Sequence, residues 1–421
     1  MKIFKLKIVK DVSWNYVAYI IPMLVAVPVF GVIARLLEVE RFGLYTLIFT
    51  MFGYASVFDL GFSRALVRCI SINRTNSADV KKYLISAVYP MALISALPLS
   101  LMFRFSGEVV ELINVSKLHY LEVVESFEIA ALIFPVIMIT SMWQAYLEGN
   151  ERFKELSVLK VVSDLSLSLI PLFFILFEPE LLSAVKGILL ARVLSLVIHV
   201  GYIYPEIRRI DCSGYSYEKT AELFRYGGWL TLTNIISPLL TTFDRFVLSA
   251  VSGSDQVAFY TAPSEIISRL LLIPGIIAKT IFPRLARHND LKFKSRINLI
   301  SSFIVLLMVV VLFFCSGLII EIWLGDGYSD SLVTLKILLI GLFFFGAAQV
   351  PYISIQAEGN SKIIAFVHFL EVVPYLLLLY FLIQMYSYKG AAIAWSIRSV
   401  VDYAAFSFID RRYGRKMIIS E

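Results

Sequence analysis

Apolar segments close to the roughly 20 residues that a bilayer-spanning helix needs recur twelve times along this chain. They cover about 13–36, 43–66, 83–105, 127–147, 156–177 and 181–204, then 226–251, 257–282, 297–320, 331–356, 363–385 and 390–409. Hydrophobic residues make up 59% of the 421, above the roughly 45–50% of a soluble domain. In lipid every backbone polar group must be satisfied internally, so such runs fold as helices. The fold class that follows is an all-α polytopic membrane protein with twelve transmembrane helices.

The charges sort by connection. Lys2, Lys5, Lys7 and Lys10 precede the first span; Arg74, Lys81 and Lys82, then Arg152 and Lys154, then Arg208, Arg209, Lys219 and Arg225 follow in alternate connections. Arg284, Arg287, Lys292, Lys294 and Arg296, then Lys362, then Arg411, Arg412, Arg415 and Lys416 continue the series. The intervening connections carry acids instead, among them Glu38, Glu40, Glu108, Glu122, Glu178, Asp255 and Asp326. By the positive-inside rule the basic side and both termini are cytoplasmic. The net charge of +6 is therefore a topology signal, and no nucleic acid partner is expected. The basic N-terminus leads into an apolar run too long for a signal-peptide core and without a small-residue cleavage site, so it reads as an uncleaved first span.

The chain also contains itself twice. A shift of 215 takes Trp14 to Trp229, Ile20 and Ile21 to Ile235 and Ile236, Leu24 to Leu239, Tyr45-Thr46 to Tyr260-Thr261, and Arg64 to Lys279. Gln144-Ala145 and Glu148-Gly149-Asn150 recur as Gln356-Ala357 and Glu358-Gly359-Asn360. Six spans per half is an even number, so the halves are parallel repeats, the kind that bracket a substrate path in transporters. The expected organisation is an N-terminal six-helix lobe over 1–204, a cytoplasmic linker over 205–225 and a C-terminal six-helix lobe over 226–421.

Enzyme chemistry finds no foothold. There is no Asp-x-Asp, P-loop, HExxH or GxSxG, and no outer loop is long enough to fold as a catalytic domain. Cys69, Cys212 and Cys315 lack metal spacing and the four histidines are dispersed, so neither a metal nor a cofactor is expected.

Ionisable groups inside spans are costly and usually functional. Among the cations are Arg64, Arg192, Arg245, Arg269, Lys279 and Arg398; among the acids are Asp59, Asp164, Asp244, Glu265, Glu371 and Asp402. Glu265 with Arg269 and Arg398 with Asp402 stand four apart, where helical neighbours meet. Asp59 and Arg64 are five apart and diverge by about 140°. Asp244 and Arg245 fall near the outer end of their span, within reach of the interface. Asp164 with Arg192, and Glu371 with Arg398, repeat an acid-then-arginine pattern in both halves. Two readings stand for these groups: structural ion pairs between spans, or titrating groups that couple transport to H+ or Na+. Asp59, Asp164, Glu265 and Glu371 are the coupling candidates; Arg192, Arg398 and Asp402 are the structural ones.

The runs FGLYTLIF…DLGFSRALVR and FDRFVLS…VAFYTAPSEI, with the QAYLEGN/QAEGN pair, resemble the bacterial polysaccharide-unit flippases of the Wzx type, which handle O-antigen and capsule units. These belong to the multidrug/oligosaccharidyl-lipid/polysaccharide exporter superfamily. The resemblance implies two lobes in a V, spans 1, 2, 7 and 8 around a central cavity, and alternating access in the bacterial inner membrane. It implies a cargo of undecaprenyl-pyrophosphate-linked oligosaccharide moved from the cytoplasmic to the periplasmic leaflet, membrane lipids as surroundings, and the polysaccharide polymerase machinery as a partner. Arginine and lysine suit a pyrophosphate, so Arg64, Arg269 and Lys279 are the expected substrate-binding residues. Tyr45, Tyr54, Tyr260 and Ser63 are candidates for lining the sugar passage. A drug/cation antiporter of the same superfamily is the alternative, but it would want an acidic cavity. A membrane-embedded polymerase is a further one, disfavoured by the short outer loops.

Overall fold

The structure is a computed structural model that describes residues 2–209, 214–287 and 291–419. By contact it divides into two compact units, Met1–Thr241 and Thr242–Glu421.

The first unit opens with α1 (Lys2–Leu36) and α2 (Val39–Met51). A 3-10 turn, Phe52–Tyr54, and the single-turn α3 (Ala55–Phe58) lead to α4 (Phe62–Ile72). Next come α5 (Ser77–Arg104), α6 (Ser106–Leu112), α7 (Tyr120–Gly149), α8 (Phe153–Phe177), α9 (Leu181–Arg208) and α10 (Tyr217–Thr241). The second unit holds α11 (Asp244–Ser252), α12 (Val257–Leu270), α13 (Leu272–Arg287), α14 (Leu291–Trp323), α15 (Ser331–Ala357) and α16 (Ser361–Ile419).

Nine helices among the described residues are long and apolar enough to cross a membrane. Three local breaks reconcile that number with twelve segments. The second span is interrupted where Leu60 and Gly61 take φ of 51° and 72°; the seventh is divided between α10 and α11. The long α16 is two spans separated at Ser387, whose φ of 51° and ψ of −131° are not helical. The protein is all-α and multi-pass. Its outward side chains are those of a lipid-facing surface: Phe314, Leu318 and Ile322 on α14 are 82%, 59% and 66% exposed.

The break in the second span has a packing reason. α10 crosses there against α4, and a Cβ at Gly227 would lie 2.6 Å from the Leu60 carbonyl oxygen. Gly61 supplies the left-handed backbone that L side chains avoid. Asp59 then closes the restart of the helix, accepting the Ser63 N–H at 3.1 Å. Below the break, Phe62, Leu66, Ile70, Tyr83, Leu84, Met142 and Ile203 form a buried core from α4, α5, α7 and α9. Close approach also marks α8 on α9, where a Cβ at Gly187 would meet Pro171 Cα at 2.6 Å. Ser163 and Ser195 share a buried hydroxyl–hydroxyl bond of 2.7 Å between the same helices. Small residues and such bonds are what hold helices together in lipid.

Connections outside the spans are clipped by ions. Glu122 gathers the Arg41 guanidinium at 3.0 Å, the His119 ring at 3.4 Å and the Leu181 N–H at 2.6 Å. Burial works against the Arg152 guanidinium, but Glu206 at 2.6 Å holds it above its ordinary value. Burial also pushes the Glu358 carboxyl up, with Lys294 opposing the shift.

Candidate functional site

In the first unit the intramembrane charges separate. Asp59 is 8% exposed and used by the α4 cap, so it is not paired with Arg64. Arg64 projects from α4 and approaches Glu148 on α7 at 3.5 Å, with its side chain 70% exposed. Asp164 meets Lys160 one turn back on α8 at 3.0 Å. That leaves Arg192 on α9 with no ion pair among the described residues, and its Nε is buried without a hydrogen-bond partner. The acid-then-arginine pattern is therefore not a bonded pair in this half.

The second unit gathers its charges into a chain. Glu265 on α12 lies 3.0 Å from Arg245 on α11 and 3.4 Å from Arg269. Asp244 accepts a hydrogen bond from the Tyr260 hydroxyl. Within α16, Glu371 accepts from Arg398 Nε and faces His368 Nδ1 at 3.4 Å, while Asp402 stands 4.0 Å from Arg398. The Arg398 guanidinium carbon sits 5.2 Å from the centre of the Tyr375 ring, a cation–π placement. Asp244 and Arg245 are 3% and 7% exposed, so both are buried inside the protein. Tyr45 and Tyr260 are also buried, Tyr45 stacking on Phe42 and Tyr260 donating to Asp244.

Arg269 differs from the other second-unit arginines. Among the described residues its guanidinium has only the 3.4 Å contact to Glu265, and its Nε is buried with no partner. The helix stops one residue later, at Leu270. The side chain of Lys279 lies outside the described residues, as do those of Trp14, Trp229, Ile235, Ile236 and Leu239.

His368 belongs to this cluster of charges although the sequence did not single it out, and Arg245 has a partner that the sequence did not indicate. Arg245 finds Glu265 twenty positions away, on another helix. His368 signals itself only by standing three before Glu371, the spacing of helical neighbours. One ligand-type atom each from His368, Glu371 and Asp402 lies within 4.8 Å of the others, a donor set of mixed nitrogen and carboxylate oxygen that fits a small cation as well as it fits Arg398.

The sequence matches the family described as polysaccharide biosynthesis protein over residues 8–289, more than half of the chain. The chain belongs to that family. Among curated family relatives it is similar to "Putative O-antigen transporter" of Shigella flexneri, 38% identical over 402 residues, covering 94% of this chain and 96% of that protein. It is also similar to lipopolysaccharide biosynthesis protein WzxC of Escherichia coli K12, 21% identical over 295 residues, 69% of this chain and 57% of that one. Solved structures of the same fold include an inward-facing multidrug resistance MATE family transporter of the MOP superfamily: TM-score 0.79, 14% identity, 96% of this chain and all but 1% of the other. Lipid II flippase MurJ in an inward closed conformation follows at TM-score 0.75 and 17% identity, over 96% and 87% of the two chains. This polysaccharide biosynthesis protein thus has the fold of those MOP superfamily transporters.

Proposed function

We propose that the protein is a flippase that carries undecaprenyl-pyrophosphate-linked oligosaccharide units from the cytoplasmic to the periplasmic leaflet of the bacterial inner membrane. It is a transporter and not an enzyme. The observation that carries this reading is Arg269. About 18 Å into its span at 1.5 Å per residue, a guanidinium costs about 2.5–3.5 kcal/mol to insert on the translocon scale. Here it keeps one long contact and one buried donor free, so the cost is not offset internally. A pyrophosphate supplies the missing acceptors. Arg64 and Lys279, equivalent positions of the two repeats, complete the substrate-binding set. The lobes are those of the repeat, 1–204 and 226–421, joined by 205–225, with both termini cytoplasmic.

Coupling to H+ or Na+ is assigned to the second unit. His368, Glu371 and Asp402 offer a cation its ligands, and Arg398 is the group it would displace. Asp59, Asp164 and Glu265 are the remaining acids able to take a proton. The polysaccharide polymerase machinery is the partner that such a cargo implies.

Deletion of the gene tests the cargo. Undecaprenyl-pyrophosphate oligosaccharide should accumulate in the cytoplasmic leaflet and clear when the wild-type chain is restored. Unchanged lipid-linked pools with unchanged surface polysaccharide would sink the reading.

A further inference from the structure

Two adjoining cavities of about 570 and 580 Å3 run along α5 beside the segment that enters α10. They share the Tyr89 and Tyr215 rings, which meet edge to face at 6.2 Å. Trp143, Leu93, Tyr217 and Phe224 extend the walls. Convex apolar helix faces are ordinary on a membrane protein; this groove is constructed. The Ser216 N–H donates to Ser86 Oγ and Thr220 Oγ1 donates to the Ser86 carbonyl, each at 2.9 Å. Lys219 Nζ donates to Asp79 at 2.9 Å, and the Tyr83 hydroxyl donates to Glu222 at 2.6 Å. Those four bonds fix the stretch carrying Tyr215 and Tyr217 along α5, so the second wall is held rather than floating.

The rim is basic. Lys82, Arg208, Arg209 and Arg225 stand exposed or half-buried within a residue or two of lining positions. The nearby acids Asp79, Glu222 and Glu206 are engaged by Lys219, Tyr83 and Arg152; Glu218, exposed at the start of α10, is the opposing charge. At its far end Phe224 packs edge-on against the buried Phe62 at 4.4 Å, which ties this wall to α4.

We propose that this groove holds the polyprenyl chain of a polyprenyl-phosphate lipid, with the phosphate at the basic rim. The inference rests on the flippase reading and adds a site for the tail of the cargo. A saturated acyl chain would fill the space, but a polyprenyl chain presents a double bond and a methyl branch in every unit to the π faces of Tyr89 and Tyr215. Its phosphate meets open positive charge on the cytoplasmic side, where the cargo waits.

Photocrosslinking tests it in the full-length protein in phosphatidylcholine nanodiscs. Benzoylphenylalanine is placed at Tyr215, at Leu93, or as a control at Phe173, a lipid-exposed position on α8, and the probe is radiolabelled undecaprenyl phosphate. Labelling at Tyr215 and Leu93 should saturate, exceed that at Phe173 about tenfold, and be competed by unlabelled undecaprenyl phosphate but not by phosphatidylglycerol. Filling the groove with Leu93→Trp and Ala221→Trp should lower labelling at Tyr215 by a similar factor. Equal labelling at Phe173, or equal competition by phosphatidylglycerol, would mean ordinary annular lipid and overturn the proposal. Saturable probe binding that maps elsewhere defeats the groove alone; no saturable binding anywhere defeats the flippase reading with it.

Discussion

The carboxylate of Glu265 lies closer to Arg245, at 3.0 Å, than to Arg269, its neighbour one turn on, at 3.4 Å. Arg245 is the buried partner, with its side chain 9% exposed against 40% for Arg269. Removing one member of a buried pair strands the other, at about 3–5 kcal/mol. Glu265→Ala should therefore lower the melting temperature and membrane yield sharply, while Arg269→Ala leaves both near wild type. Comparable yields for the two variants would show that Arg245 does not depend on Glu265.

Arg269→Ala should nonetheless abolish transport. Arg269→Lys should keep part of it, since the charge survives although the bidentate geometry does not. An Arg64→Ala/Lys279→Ala double variant should fail as well, with normal protein in the membrane. Restoration of surface polysaccharide in a deletion strain reads the outcome. Normal polysaccharide from both Arg269→Ala and the double variant would remove these residues from the substrate site.

Glu371 and Asp164 occupy comparable places in the repeats and should behave differently. Glu371 is the hydrogen-bonded acceptor of Arg398, whose side chain is 13% exposed, so Glu371→Ala should cost about 3–5 kcal/mol by stranding that charge. The Lys160–Asp164 pair is about one-third exposed, 34% and 32%, and pairs of that kind contribute about 0–1 kcal/mol. Thermal melts of Glu371→Ala and Asp164→Ala compare them directly. Ion dependence is then measured on Glu371→Gln, which should flip cargo without responding to the H+ or Na+ gradient. A preserved gradient response would move coupling away from Glu371.

Gly227 and Gly228 make a controlled pair. An alanine methyl at 227 would lie 2.6 Å from the Leu60 carbonyl, whereas nothing stands within 4 Å of one at 228. Gly227→Ala should cost about 1–3 kcal/mol, as overpacking does, and reduce transport; Gly228→Ala should change neither. Equal melting temperatures would show that the α4–α10 crossing relaxes freely.

Orientation is open to thiol labelling in a cysteine-free background. Cysteines at Lys117 and Gly327 should react with an impermeant reagent from outside, and those at Ser77 and Asn150 should not. Ser254 follows the same charge logic but is 1% exposed and makes a poor reporter. The reverse pattern would invert the direction of transport.

Much of the architecture could be read from hydropathy. Crossing a bilayer is a local requirement, set residue by residue by transfer free energy, so spans of about 20 residues stand out without knowledge of their neighbours. Sidedness is similarly local, because Lys and Arg near span ends decide it. The duplication needed only comparison of the chain with itself.

Which charges meet was decided by the tertiary structure. Glu265 takes Arg245, Asp164 takes Lys160 and leaves Arg192 without an ion pair among the described residues, and Asp59 spends its carboxylate on a helix restart. Apolar spans have almost no polar face to report how each helix is rotated, so partners on different helices are invisible to periodicity. The break at Leu60–Gly61 was hidden too: DLG lies inside the apolar segment 43–66, and the backbone turns where Gly227 of α10 comes against it. Sequence by itself determined that this is an all-α, multi-pass membrane protein with costly charges inside its spans. The packing of one helix against another determined which of those charges meet.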